Sequence, residues 1–276
     1  MPQIPWKLKS VAFAVCDRIG PYPLYLAQKY ITRRASQHFS KIDKNWNFHK
    51  DNIIYANAKR IIEFGAGKTL VQNIYLSDLG IDQVVVDLNR MLDLQLVNSA
   101  ISDLSDLGVP TKGPVSSIDD IQQKYRIRYI APLDMQNTDF ISGSFDACLS
   151  TNTLEHIPKQ TIIGIWKETY RLLAPAGIVS AKIDYSDHYA HTDSSISTLN
   201  YLTFSEAKWR SYNHECHFQN RLRHAHHLEL LKDAGFRIQR EKASVIKDAT
   251  GLKIRPENLA LVKSDYCTSG TIVAVK

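Results

Sequence analysis

Two groups of residues in this chain have the types and spacing to do chemistry. The first is the stretch IIEFGAGKT, residues 61–69, with two acids beyond it. Gly65 and Gly67, with Ala66 between them, let the backbone turn tightly and come close to a ligand. Glu63 can fix that loop or accept from an ammonium group. Asp87 follows Gly67 by 20 residues, the spacing at which a carboxylate grips the two ribose hydroxyls of an adenosine. Leu88 comes directly after it. Asp134 can accept from an adenine amino group, with Met135 packed on the ring. The letters GAGKT also end a phosphate-binding loop, but that loop needs G-x-x-x-x-G-K-[ST]. Its opening glycine would fall at Ile62, inside an apolar run.

The second group is histidines. Seven of the 10 are His188, His191, His214, His217, His224, His226 and His227. The densest piece is IDYSDHYAHTD, residues 183–193. A histidine titrates near neutrality and suits the removal of a hydroxyl proton. His188 is the expected proton acceptor, oriented by Asp184 or Asp187, with His191 in reserve. The pattern HxxHxD can also hold a divalent metal ion, or these side chains can be the polar face of a loop. No residue is assigned to a metal from sequence. Lys182, Arg210, Arg221 and Arg223 could meet an anionic acceptor or be surface charge.

The elements that must position these groups alternate. RIIEF, QVVVDL (83–88), YRIRYIAPLD, FDACLS (145–150) and GIVSAKIDY (177–185) read as strands, four of them short apolar runs. Residues 69–79 and MLDLQLVNSAISDL read as helices, the latter with Leu94, Val97, Ile101 and Leu104 on one face. IPKQTIIGIWKETYRLL puts Ile162, Ile163, Trp166, Tyr170 and Leu173 on one stripe and stops at Ala174-Pro175-Ala176-Gly177. RHAHHLELLKDAGF is a last helix, and RIQREKASVI and TIVAVK are closing strands. Such alternation argues for an α/β fold with a parallel sheet covered on both faces. Residues 185–222 have no clear period and form an irregular lid after the fifth strand.

The set of motifs resembles the class I S-adenosylmethionine-dependent methyltransferases of the type 11 kind. IIEFGAGKT resembles their first motif, VVVDLN their second-strand acid and PLDMQ their adenine-edge motif. SFDACLSTNTLEHIPKQ and RLLAPAGIVSAKI resemble their fourth strand, its helix and the turn into the fifth. The resemblance covers roughly residues 59–185. It implies a doubly wound, mostly parallel, seven-stranded Rossmann-like sheet that binds S-adenosyl-L-methionine. Glu63, Gly65, Ala66, Gly67, Asp87, Leu88, Asp134, Met135, Ser150 and Thr151 are the implied cofactor residues. Leu154, Glu155 and His156 would open the following helix. The family's third glycine is Thr69 here, preceded by Lys68.

Composition sets the outer limits. With 276 residues, 44% hydrophobic and 22% charged, the chain is an ordinary globular protein. Its net charge is +6. Residues 1–50 hold nine Lys and Arg against two Asp, so this basic helical arm carries the excess. It could cap the domain residues 51–276, form a dimer contact or rest on a membrane. Four scattered cysteines fit a reducing cytoplasm rather than a disulfide framework. The run SVAFAVC is too short to span a bilayer. The expected activity is O-methylation of a small molecule or glycan, because Tyr185, Tyr189, Tyr201, Trp209 and Tyr212 could wall a sugar site. DYSDHYAH and QNRLR are loosely similar to bacterial methyltransferases of surface polysaccharide assembly. Two other readings are a nucleic-acid (RNA) methyltransferase and a non-catalytic protein of the same fold. Against the former, Ser150-Thr151-Asn152-Thr153 stands where base-methylating enzymes hold a flipped base.

Overall fold

The computed structural model describes residues 3–20, 38–246, 251–255, 258 and 266–276. The sequence of the basic arm also predicts a break between short helices at Gly20-Pro21-Tyr22-Pro23 and apolar positions at Tyr25, Leu26 and Tyr30; all of these but Gly20 lie outside the described residues.

Seven strands form one sheet: β1 (Arg60–Phe64), β2 (Asp82–Val86), β3 (Ile127–Ile130), β4 (Phe145–Thr151), β5 (Leu173–Asp184), β6 (Arg237–Val245) and β7 (Cys267–Val275). Their order is β3-β2-β1-β4-β5-β7-β6. β1 to β5 pair in parallel, and β7 runs antiparallel to both β5 and β6. Successive side chains of a strand face opposite sides, so each inner strand feeds two cores. Ile61, Val85, Ala147 and Leu149 face one, and Ile62, Val84, Cys148 and Val179 face the other.

Helices α1 (Trp6–Ile19), α2 (Lys44–Tyr55), α3 (Val71–Leu76), α4 (Leu94–Asp106), α5 (Ile118–Tyr125), α6 (Lys159–Leu172), α7 (Glu206–Arg210) and α8 (His224–Asp233) complete the described fold. Asp43, Asp93, Ser117 and Ser205 cap their helices with side-chain oxygens on backbone N–H groups. The periodicity reading missed α5, an eight-residue helix with few apolar positions. Ala174 to Gly177 do not lie in a turn outside the elements. They form an irregularity inside β5, where the register moves from Phe145↔Leu173 to Ala147↔Ile178. Pro175 cannot continue a helix ladder, so α6 ends just before.

The arm does not separate at residue 50. That position lies inside α2, whose Trp46 and Ile53 join the sheet's core. α1 instead packs on the lid. Trp6 and Phe13 share a third core with Tyr189, Leu199, Tyr201, Leu202 and Trp209. The Asp193 carboxylate accepts from Trp6 N at 2.8 Å, and Asp17 accepts from the backbone N–H groups of Glu215 and Cys216. The lid therefore has an interior of its own. Among the described residues no helix is long and apolar enough to cross a membrane.

Candidate active site

A cavity of about 560 Å³ opens at the carboxyl ends of β1, β2 and β4, where the strand order reverses and open α/β sheets bind ligands. Gly65 forms its floor with φ +77°, and a Cβ there would meet Thr153 at 2.2 Å. Both conditions require glycine. Gly67, φ +76°, has open space beside it, and its N–H donates to Asp87. Asp87 is 5% exposed, and its Oδ2 has no partner. Burial pushes its carboxyl up to about 6, against hydrogen bonds from Tyr129 and Gly67. Leu88, Met91 and Met135 make the walls apolar, and Asp134 stands at the rim. These residues fit an adenosine. The unsatisfied Asp87 oxygen awaits a donor such as a ribose hydroxyl, Met135 offers a flat apolar contact, and Asp134 offers an acceptor.

Other expected cofactor residues stand elsewhere. Glu63 is 2% exposed and accepts from Gln72 Nε2 at 2.9 Å and Asn73 Nδ2 at 2.8 Å. Burial holds its carboxyl up at about 7, and it ties α3 to β1 rather than lining the cavity. Ala66 packs against the α2–α5 core. Ser150 is fully buried in β4. The hydroxyl of Thr151 meets His49 Nε2 at 2.9 Å and donates to Gln72 Oε1 at 3.0 Å. The wall expected from Ser150 and Thr151 is supplied by Thr153 and His156, because Ser150 is buried and Thr151 turns to His49 and Gln72. The Thr69 hydroxyl accepts from Val71 N at 3.3 Å and starts α3.

Beside this groove lies a second cavity of about 310 Å³. All of its lining side chains are polar, among them Glu155, His156, Asp184, His188 and His191. His188 is 8% exposed, and its Nε2 has no hydrogen-bond partner. Burial, reinforced by the neighbouring His156, holds its imidazole down at about 3, against the pull of Asp184. Asp184 Oδ2 lies 3.8 Å from His188 Nε2 and 3.5 Å from His191 Nε2. Its Oδ1 accepts from the N–H and hydroxyl of Ser186. Burial alone would raise the Asp184 carboxyl, but the His191 and Ser186 hydrogen bonds outweigh it and hold it low. Glu155, at 2% exposure, is pushed up to about 8 by burial, and its Oε2 has no partner. It belongs to a short 3-10 turn, Leu154–His156, two residues before α6.

Asp187 does not orient His188. It accepts from Tyr189 N at 2.8 Å and Asn200 Nδ2 at 3.1 Å, facing the lid interior. The histidine group also divides. His217 reaches the cavity, but His214 pairs with Asp17 and His224 with Glu241. His226 accepts from the Arg223 N–H. The four basic residues expected to meet an anion are used structurally or lie outside. Lys182 donates to Ile183 O. Arg210 and Arg221 pair with Glu206, and Arg223 donates to the carbonyls of Tyr185 and Cys267. The cation on the wall is Lys9 of α1, which donates to His188 O at 3.2 Å. Tyr185, Tyr189, Tyr201 and Trp209 are nearly inaccessible. Tyr189, Tyr201 and Trp209 build the lid's interior and Tyr185 joins a core of the sheet, so none of the four walls a sugar site.

Sequence reasoning passed over the residues that set this geometry. Gln219 donates to Ser186 O and accepts from His188 N. Asn220 donates to the carbonyls of Leu154, Glu155 and Ile157. Gln219 thereby braces the lid from within, and Asn220 ties it to the turn that carries Glu155. The only signal was a pair of adjacent amides in an irregular stretch.

Fold, groove and acids together are those that the resemblance to class I S-adenosylmethionine-dependent methyltransferases implies. A family model described as a methyltransferase domain matches residues 116–181, the segment from α5 through most of β5. Several solved structures are similar in fold. One is a methyltransferase from Methanosarcina mazei (16% identity, 79% of this chain and 92% of that one, TM-score 0.47). Others are a putative sarcosine dimethylglycine methyltransferase from Galdieria sulphuraria (12%, 84% and 85%, 0.49) and a methyltransferase from Mesorhizobium loti (14%, 79% and 90%, 0.46). No curated protein matches the chain by sequence.

Proposed function

We propose that this protein methylates a hydroxyl group of a small polar molecule, or of the terminal unit of a glycan, held in the histidine-lined cavity. The observation that carries this is the shared wall. His156 lines both the donor groove and the polar cavity, so an acceptor in one faces the methyl donor in the other. When bound, S-adenosylmethionine supplies an electrophilic methyl on a sulfonium, whose transfer to oxygen returns the bonding pair to sulfur and frees the hydroxyl proton. The chain's part is positioning, exclusion of water and acceptance of that proton. Asp87, Asp134 and Met135 hold the nucleoside, and Gly65 and Gly67 leave room for its sulfur end. His188 Nε2 stands over the carboxyl end of β5 to take the proton, with Asp184 beside it, while His191 Nε2 donates to Ser186 Oγ, whose own hydrogen goes to Asp184.

The test is calorimetric. S-Adenosylmethionine or its demethylated product should bind with a stoichiometry of one. Asp87→Asn should weaken binding about tenfold to a hundredfold, the worth of a hydrogen bond to a charged acceptor, without lowering Tm. Absence of binding by the wild-type protein would sink the reading. The acceptor is then sought by screening hydroxylated compounds for release of the demethylated cofactor.

A further inference from the structure

The polar cavity has the makings of a metal centre. Glu155, His156 and His188 each direct a ligand atom to within 4.8 Å of the others, and so do Asp184, His188 and His191. His188 is common to both triads. Two of these groups, Glu155 at 2% exposure and His188 at 8%, are buried with an unpartnered atom, Oε2 and Nε2. Buried polar atoms are seldom left unpaired, and here two converge on one space. His156 supports the same end. Its Nδ1 lies 2.9 Å from Phe218 O, a hydrogen bond that fixes Nδ1 as the donor and leaves the Nε2 lone pair for a ligand. Metal-bound histidines are commonly held in this way.

We propose that Glu155, His156, Asp184 and His188 bind one divalent transition-metal ion. Mixed imidazole and carboxylate donors suit zinc, manganese or iron better than magnesium or calcium, which favour all-oxygen shells. Bonds of about 2.0–2.2 Å put ligand atoms on one ion about 3 to 4.4 Å apart, so the spacing within each triad closes by small side-chain rotations, and His188, common to both, brings Asp184 to the same ion. Lys9 stands at the rim, held at the His188 carbonyl, and the two carboxylates outnumber its charge. The ion's part in the reaction rests on the function proposed above. It would orient the acceptor hydroxyl and make it more acidic, so that the hydroxyl yields its proton to solvent and His188 serves as ligand rather than as proton acceptor.

The full chain, stripped with chelator, is titrated with Mn²⁺ and the loss of the free-ion electron paramagnetic resonance signal is followed. One tight ion per chain is expected, displaced by Zn²⁺. His188→Ala and Glu155→Gln should each weaken it at least tenfold. Circular dichroism melts and calorimetric binding of S-adenosylmethionine, both expected to be unchanged, establish that the variants are folded. Equal Mn²⁺ binding by wild type and both variants, or none by wild type, would overturn the site. Metal binding without cofactor binding would remove the proposed function and leave the metal site standing.

Discussion

His49, in α2, and His188, in the lid, have opposite fates in the same fold. Both are buried, and burial brings both imidazoles down to about 3. They differ in partners. His49 Nδ1 meets Ser180 Oγ at 2.9 Å, and Asn52 Nδ2 donates to that same hydroxyl. On its other side Thr151 Oγ lies 2.9 Å away and passes a hydrogen bond to Gln72, which donates to Glu63. The donors run in one direction, from Asn52 to the Glu63 carboxylate, and need a neutral His49 carrying its proton on Nε2. In the second region His188 Nε2 and Glu155 Oε2 close no such chain. A lowered histidine therefore does not by itself mark a functional site. A lowered histidine with an unsatisfied ring nitrogen beside an unsatisfied carboxylate makes a candidate for one.

The largest expected effect separates the two regions directly. His188→Ala should cut turnover on the true acceptor by about 10²-fold or more, the typical loss for a proton acceptor or a metal ligand. Its Tm should stay close to wild type, because no network is broken. His49→Ala should do the reverse. It leaves the Ser180 and Thr151 hydroxyls without their shared partner inside the protein, and each such orphan costs about 1–3 kcal/mol. A loss of about 2–4 kcal/mol in urea unfolding is expected, with cofactor affinity nearly kept. Equal stability losses in the two variants would break the contrast.

The fold was legible because its signals are short-range. Apolar runs ending at Gly65, Asp87 and Asp184 mark strand ends, and the spacing of those acids follows from strand and helix lengths. Asp87 could be read because a single residue at a strand end performs the task. Ser150 and Thr151 were misplaced because one residue of register decides whether a side chain reaches past a strand or into a core. His49 was invisible for a related reason. It lies in a stretch dominated by basic residues, and its partners Ser180, Thr151 and Gln72 are far away in the chain. The same holds for Gln219 and Asn220. The histidine cluster was seen, but the sequence could not divide His188 and His191 from His214 and His224, since only tertiary packing separates them.

The smallest effect tests the neutral state of His49 without removing its hydrogen bonds. A glutamine side chain in its place can still donate an amide N–H to Thr151 and accept from Ser180, so His49→Gln should cost only about 1 kcal/mol at pH 7. Its consequence lies in acid. The folded imidazole titrates at about 3, held down by burial and then by Lys182, whereas an unfolded one titrates near 6.5. Below 6.5 the unfolded chain takes up a proton that the folded one refuses. The stability His49 allows above 6.5 is therefore lost as pH falls towards 3, at about 1.4 kcal/mol per pH unit. At pH 5 this is about 2 kcal/mol, and the glutamine variant does not incur it. Glu63 works with the opposite sign, since its raised folded value removes stability as pH climbs from about 4.5 through 7, but it is present in both proteins and cancels, as does His188. The deficit of His49→Gln measured by urea unfolding should thus shrink by about 2 kcal/mol between pH 7 and pH 5 and change sign. A deficit that stays constant would mean that His49 accepts a proton in the folded protein, and the directed chain from Asn52 to Glu63 would then have to be redrawn.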